Sequence, residues 1–248
     1  MAPREVAYQV LARTLRDAIL RGRFPDGVRL PTEAELAREH AVSRQTVRRA
    51  FHDLVADGMV RRVPGRGTYA APRDGRYLRQ FGSIDDLMGL SIDTRLEIVT
   101  PLRRQVDIDA ASRLRQDGDV VHTVEFLRLH NDVPFCVTTV HLPPELGTRL
   151  AEVPALTTKG AVSATTVIAM VDDREPIAEA EQSITAVLAT GSLAARLGCA
   201  EGDPLLRVDR IYHSAKGAPV ELAISYFLPE HYSYRVRLRR GPDWSRRV

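Results

Sequence analysis

A chain of 248 residues with 44% hydrophobic and 27% charged residues has the balance of a globular protein and the length for two separate cores. Its apolar runs fall short of a membrane span, and the opening MAPREVAYQV lacks the apolar stretch of a secretion signal, so a cytoplasmic protein with no membrane partner is expected. Cys136 and Cys199 have no CxxC spacing, which suits reduced structural thiols rather than a disulfide or a metal site, and no cofactor is expected.

Charge is spread unevenly. Residues 1–73 carry 14 Arg against 8 Asp and Glu, whereas the remainder carries 21 Lys and Arg against 24 acids. A basic head on a mildly acidic body is expected where the head alone meets a polyanion.

In chain order, Val6, Val10, Leu11, Leu15, Ala18 and Ile19 recur at helical spacing and predict a helix over 6–21. GRFPDGVRLP breaks it. Thr32 followed by Glu35 forms a capping box that opens a short second helix ending near His40. Ser43 caps a third, whose apolar face is Val47, Ala50, Phe51, Leu54 and Val55, up to Gly58. Helix, short turn and capped helix describe a helix-turn-helix, in which the start of the second helix enters the major groove. The residues there are Ser43, Arg44, Gln45, Thr46, Arg48 and Arg49. Arg can be bidentate to guanine and Gln to adenine, and hydroxyls and the helix N-terminus suit phosphate. Next, MVRRV and TYAA flank Pro64-Gly65-Arg66-Gly67 and read as a hairpin wing with Arg66 at its tip.

The stretch ILRGRFPDGVRLPTEAELAREHAVSRQTVRRAFHDLVADGMVRRVPGRGTYA resembles the DNA-binding domain of the GntR family of bacterial transcription regulators. The resemblance implies that Thr32, Ser43, Arg44, Gln45, Thr46, Arg48 and Arg49, with Gly65, Arg66 and Gly67 of the wing, face double-stranded DNA. Two positions depart from the family pattern. Ala34 stands where many relatives have Arg, and Ala41 stands in a turn that often has Gly, at a cost of about 1 kcal/mol if its φ is positive.

APRDGRYLRQFGSIDD reads as a linker over 72–82 followed by a helix capped by Ser83 and running to about Leu90. Strands are expected at Arg95–Pro101, Val120–Leu129, Phe135–Leu142, Glu181–Val187, Leu205–His213 and Val220–Phe227, with helices near Asp109–Arg115, Pro144–Leu150 and Ala189–Leu197. The fold class is thus two-domain α/β: a winged helix-turn-helix over 1–71 and an α+β domain over 83–248 with a mainly antiparallel sheet. FLRLHNDVPFCVTTVHLP and the segment from AEAEQSITAVLATG to APVELAISYF resemble the UTRA ligand-sensing domain of the HutC branch of that family, a fold related to chorismate lyase. The resemblance implies a homodimer, an inverted-repeat operator and a small-molecule effector that modulates DNA binding by a repressor.

Relatives that sense sugar phosphates use an Arg-x-Arg pair, a Glu on the next strand and a Glu near the end. Here these positions are Phe126 and Arg128, Thr138 and Glu221, and Ser83, Ser163 and Thr165 add candidate anion donors. The lost cation and carboxylate favour a smaller or less charged effector. An ordinary Arg128–Glu221 salt bridge is the competing reading of that pair. The other function class is an enzyme built on the chorismate-lyase-like domain with a nucleic-acid-binding head. The sequence has no nucleophile elbow, HExxH or phosphate loop, and His122, His130 and His141 are scattered singly along strands. A sequence-neutral RNA binder would want an aromatic platform, against 6% aromatic residues here.

Overall fold

A computed structural model describes residues 7–25, 28–56, 58–71 and 84–232. The chain divides into two compact units. The expected linker and Ser83 lie outside the described residues.

In the first unit, α1 spans Ala7–Leu20, α2 Glu33–Glu39 and α3 Arg44–Ala56, followed by an antiparallel ribbon of β1 (Val60–Val63) and β2 (Gly67–Ala70). Apolar residues three and four apart put Leu11, Leu15 and Ile19 against Leu36, Val47, Ala50, Phe51 and Leu54, all buried in one core. The capping box at α2 is complete. Glu35 N donates to Thr32 Oγ1 at 3.2 Å, and Thr32 N donates to Glu35 Oε2 at 2.7 Å. The turn into α3 passes through Ala41 at φ 52°, the left-handed region that its Cβ disfavours. Ser43 then caps α3, its Oγ accepting from Thr46 N at 3.0 Å.

The described part of the second unit opens with α4 (Ile84–Met88), which a 3-10 turn at Gly89–Ile92 follows in the chain. There follow β3 (Arg95–Val106), α5 (Ile108–Arg113), β4 (Val120–His130), β5 (Val133–Leu142), α6 (Pro144–Leu150), α7 (Pro154–Thr157), β6 (Val162–Ser163), α8 (Val167–Asp172), β7 (Ile177–Leu188), α9 (Gly191–Leu197), β8 (Pro204–Ser214) and β9 (Pro219–Phe227). Seven antiparallel strands form one sheet in the order β6-β3-β4-β5-β9-β8-β7. Asn131 and Asp132, both at positive φ, make the two-residue β4–β5 turn whose twist suits a tight hairpin.

One sheet face carries Ile98, Phe126, Val140 and Leu142 and packs with residues of α4, α6, α7 and α8 into the main core. The other face is covered by α5, through Ala110, Ala111 and the C-cap residue Leu114, and by α9, through Ala194 and Leu197. The edge strand β7 stands apart. Nine of its twelve residues are exposed, and the other three, Ile177, Ile184 and Val187, are half-buried against the cores.

Several elements differ from expectation. β3 runs five residues beyond Pro101, because that proline falls in a register shift between Thr100 and Arg103 where the ladder does without its N–H. β7 begins at Ile177, and the short β6, α7 and α8 were not foreseen.

Candidate nucleic-acid interface and ligand cavity

α3 divides its residues by period. Val47, Ala50, Phe51 and Leu54 are buried, while Ser43, Arg44, Gln45, Arg48, Arg49 and His52 are exposed, with Thr46 half-buried. The exposed arginines have different tasks. Arg48 donates from Nε and Nη2 to Glu33 Oε2 at 3.2 and 3.1 Å. Arg62 of β1 donates to the other oxygen of Glu33 at 3.0 Å. Arg49 stacks over the Tyr8 ring of α1, 4.3 Å from its centroid. Among the described residues, the Arg44 and Gln45 side chains bond to no protein partner, and they sit beside the cap where the N-terminal backbone N–H groups of α3 emerge. Thr32 is committed to its own cap.

At the wing, Gly65 and Gly67 take φ of 72° and 118°, and Tyr69 Oη donates to the Arg66 carbonyl at 3.1 Å, which fixes the tip. Arg66 is exposed there. A Cβ at Gly67 would also come within 2.6 Å of Arg29 Nε.

In the body a cavity of about 520 Å³, part of it open to solvent, lies between the sheet face of β4, β5, β9 and β8 and the residues of α4 and α8. It gathers four of the expected effector residues, Phe126, Arg128, Thr138 and Glu221. Ser163 and Thr165 lie off its lining. The Ser163 hydroxyl accepts from Thr165 N at 3.2 Å, and the Thr165 carbonyl accepts from Arg128 Nη1 at 3.4 Å.

The Arg128–Glu221 salt bridge does not form. Arg128 pairs across to Cys136, Cys136 pairs to Phe227, and Glu221 is six residues further along β9. The two therefore stand about 20 Å apart along the strand direction at their backbones. Arg128 also lies 5.6 Å from the Phe126 ring centroid and donates to Thr94 Oγ1 at 3.4 Å. Glu221 is 2% exposed, and its Oε2 has no hydrogen-bond partner among the described residues. Burial pushes its carboxyl up to about 8, with Arg210 pulling the other way.

Arg210 is the charged residue of the cavity lining that sequence reasoning missed. It is 4% exposed, donating from Nε to Gln182 Oε1 at 2.6 Å and from Nη2 to Tyr232 Oη at 3.3 Å. Its signal was its phase, since it shares parity with the buried Val208 and Tyr212 on β8. Thr138 Oγ1 and Ser225 Oγ, 2.9 Å apart, form a hydroxyl pair in mid-cavity. Cys136 is buried beside them, and burial pushes its thiol up to about 11, a poor nucleophile. His122 packs against Gly147, where a Cβ would meet its ring at 2.3 Å, and His141 Nδ1 lies 2.9 Å from the Thr123 hydroxyl.

Comparison with known proteins agrees with both halves. Residues 7–70 match the gntR family of bacterial regulatory proteins, and residues 90–233 match the UTRA domain. The chain is 31% identical over 245 residues to the HTH-type transcriptional regulator Rv0792c of Mycobacterium tuberculosis, covering 93% of this chain and 85% of that one. It is 28% identical to the HTH-type transcriptional repressor NagR of Bacillus subtilis, covering 94% of each. The crystal structure of PhnF from Mycobacterium smegmatis has the same fold, with a TM-score of 0.56 at 22% identity over 95% of this chain and 100% of that one. The chain belongs to the GntR family of bacterial transcription regulators, in its HutC-type branch, with a DNA-binding winged helix-turn-helix followed by a UTRA effector-binding domain.

Proposed function

We propose that the protein is a cytoplasmic repressor acting as a homodimer on an inverted-repeat operator, and that a small molecule in the body cavity lowers its DNA affinity. The observation that carries the DNA reading is the exposed Arg44–Gln45 pair, without a side-chain partner among the described residues, at the Ser43-capped start of α3, with Arg66 exposed on the glycine-bounded wing. Base reading is assigned to Arg44 and Gln45, phosphate to Ser43, Thr46 and Arg66, and positioning to Arg48 and Arg49. Relatives named as repressors, among them NagR and the histidine utilization repressor of Pseudomonas putida, support the sign.

The homodimer draws support from β7, a twelve-residue edge strand with nine exposed residues that pairs on one side alone among the described residues. A long open edge is a template for another strand, and antiparallel pairing with a second copy closes it with two-fold symmetry. Two protomers then present one α3 to each half-site. An effector that prefers the non-binding state by about 100-fold contributes about 2.7 kcal/mol of coupling, enough to empty an operator.

The experiment is selection of bound duplexes from a randomised pool at fixed salt, followed by titration of the winner. A two-fold-symmetric site preferred over random duplex by about 4 kcal/mol or more is expected. Equal affinity for all duplexes overturns the reading.

A further inference from the structure

We propose that Arg29, which lies outside both the helix-turn-helix and the hairpin, holds a backbone phosphate of the bound duplex beside the one taken by Arg66. This rests on the wing facing DNA.

The chain just before α2 runs as a third segment of the wing. Arg29 bridges Tyr69 in antiparallel fashion, and Leu30 N donates to the Thr68 carbonyl at 2.8 Å. Side chains alternate along an extended segment, so burial of Leu30 in the head core sends Arg29 to the opposite face. Val60 and Ala70 are buried on the same side as Leu30. Arg29, Tyr69 and Arg61 therefore form one outward row across the three segments, with the Arg61 guanidinium 6.0 Å from the Tyr69 ring centroid.

From that row Arg29 leans toward the wing tip. A Cβ at Gly67 would stand 2.6 Å from its Nε, 3.0 Å from its Cδ and 3.3 Å from its Cγ, so the arginine stem lies along the Gly67 α-carbon. Gly67 is thus glycine for two reasons, its φ of 118° and the passage of this side chain. The guanidinium is delivered to the residue next to Arg66, and both arginines are exposed. Like charges gathered at one hairpin tip repel each other, and a phosphate backbone turns that repulsion into a site. The acid that feels Arg29 is Glu35, whose carboxyl is held below its ordinary range first by the Thr32 cap and to a smaller extent by Arg29. Among the described residues the Arg29 guanidinium makes no hydrogen bond or ion pair.

Anisotropy titrations of the full-length protein on the selected operator and on random duplex, from about 50 to about 200 mM salt, test this. Arg29→Met keeps the stem against Gly67 and removes the charge; Arg29→Gln and the charge-keeping Arg29→Lys are measured beside it. Both neutral variants are expected to bind the two duplexes more weakly by the same factor. Their plots of log affinity against log salt should be shallower by about 1, so that their deficit shrinks about threefold across that range. Arg29→Lys is expected to keep the wild-type slope. A neutral methylphosphonate replacing a single phosphate should, at one flanking position, weaken the wild type and leave Arg29→Met unaffected. Should Arg29→Met fail to melt like the wild type, Arg29→Gln decides. A wild-type slope in the neutral variant overturns the proposal even where binding weakens, because a side chain that only props Gly67 releases no counterions. A loss confined to the operator overturns it too, since a phosphate contact carries no base preference. Arg66→Gln separates the two layers. If its slope is also unchanged, the wing does not face DNA; if its slope alone falls, the wing reading stands and Arg29 is only a prop.

Discussion

Arg48 donates from two guanidinium nitrogens to one carboxylate oxygen of Glu33, so the most central exposed arginine of α3 is turned toward its own protein. Because Arg62 takes the other oxygen, one acid ties α2, α3 and β1 together. Half-exposed bridges of this kind contribute about 1 kcal/mol or less. Arg48→Ala is therefore expected to lower affinity for operator and random duplex by a similar factor. Arg44→Ala is expected to cost about 1–3 kcal/mol on the operator and relax one base position. Anisotropy titrations against the operator and its single-base variants distinguish these. A base-selective loss from Arg48→Ala would return that residue to the reading set.

Ala41 at φ 52° marks the second prediction. A non-glycine residue in the left-handed region costs about 1 kcal/mol or more, while glycine adds entropy to the unfolded chain. The net effect of Ala41→Gly is a gain of about 0.5–1 kcal/mol, visible as a melting transition raised by a few degrees. An unchanged or lowered midpoint would mean the turn relieves its strain elsewhere.

The head was legible because its signals are local. Thr32 with Glu35 announces a cap, Ser43 announces another, and the apolar period between them fixes which face of α3 is buried. What Arg48 does was not legible, since its partner Glu33 is fifteen residues away and reaches it only through the packing of α2 on α3. In the body, strand alternation gave the order of strands along the chain, but a proline misplaced the end of β3, and α8 was hidden because VIAMVD is as apolar and β-branched as a buried strand. The cavity was half legible. Glu221 and Arg128 were found, yet the idea that they meet failed on register, which only strand pairing reveals. Arg210 alternates in a strand whose other face also carries Arg207 and Asp209, so charge alone did not say which side was buried.

The open edge of β7 leads to the third prediction. Ala186 and Leu188 are exposed, and Leu188 at 68% is among the most exposed large apolar residues described. Lysines on an edge strand oppose pairing with another chain through repulsion and desolvation. The double variant Ala186→Lys, Leu188→Lys is expected to run as a monomer in light scattering, with little change in thermal stability. Its operator affinity should fall steeply, since each monomer grips one half-site. A variant that stays dimeric would place the interface elsewhere on the body.

Glu221 gives the fourth. Burial raises its carboxyl from an ordinary 4.5 to about 8, so the folded protein keeps this proton over a range in which the unfolded chain has released it. The sign follows from proton counts. The stability associated with the neutral carboxyl is full below about pH 4.5, drains away as pH rises toward about 8, and is flat beyond. Arg210 and Tyr212 of β8 face the same carboxyl; Arg210 favours its charge, and Tyr212, itself raised by burial, stays protonated throughout. Glu221→Gln keeps a neutral group of the same shape. Its stability relative to wild type should therefore be near parity at pH 5 and grow to a few kcal/mol by pH 8, read from urea melts at half-unit steps. His122 and His141, whose pKa values burial lowers, weaken both proteins on the acid side and cancel in the difference. Parallel curves across the window would mean that the carboxylate is stabilised in the cavity despite its burial.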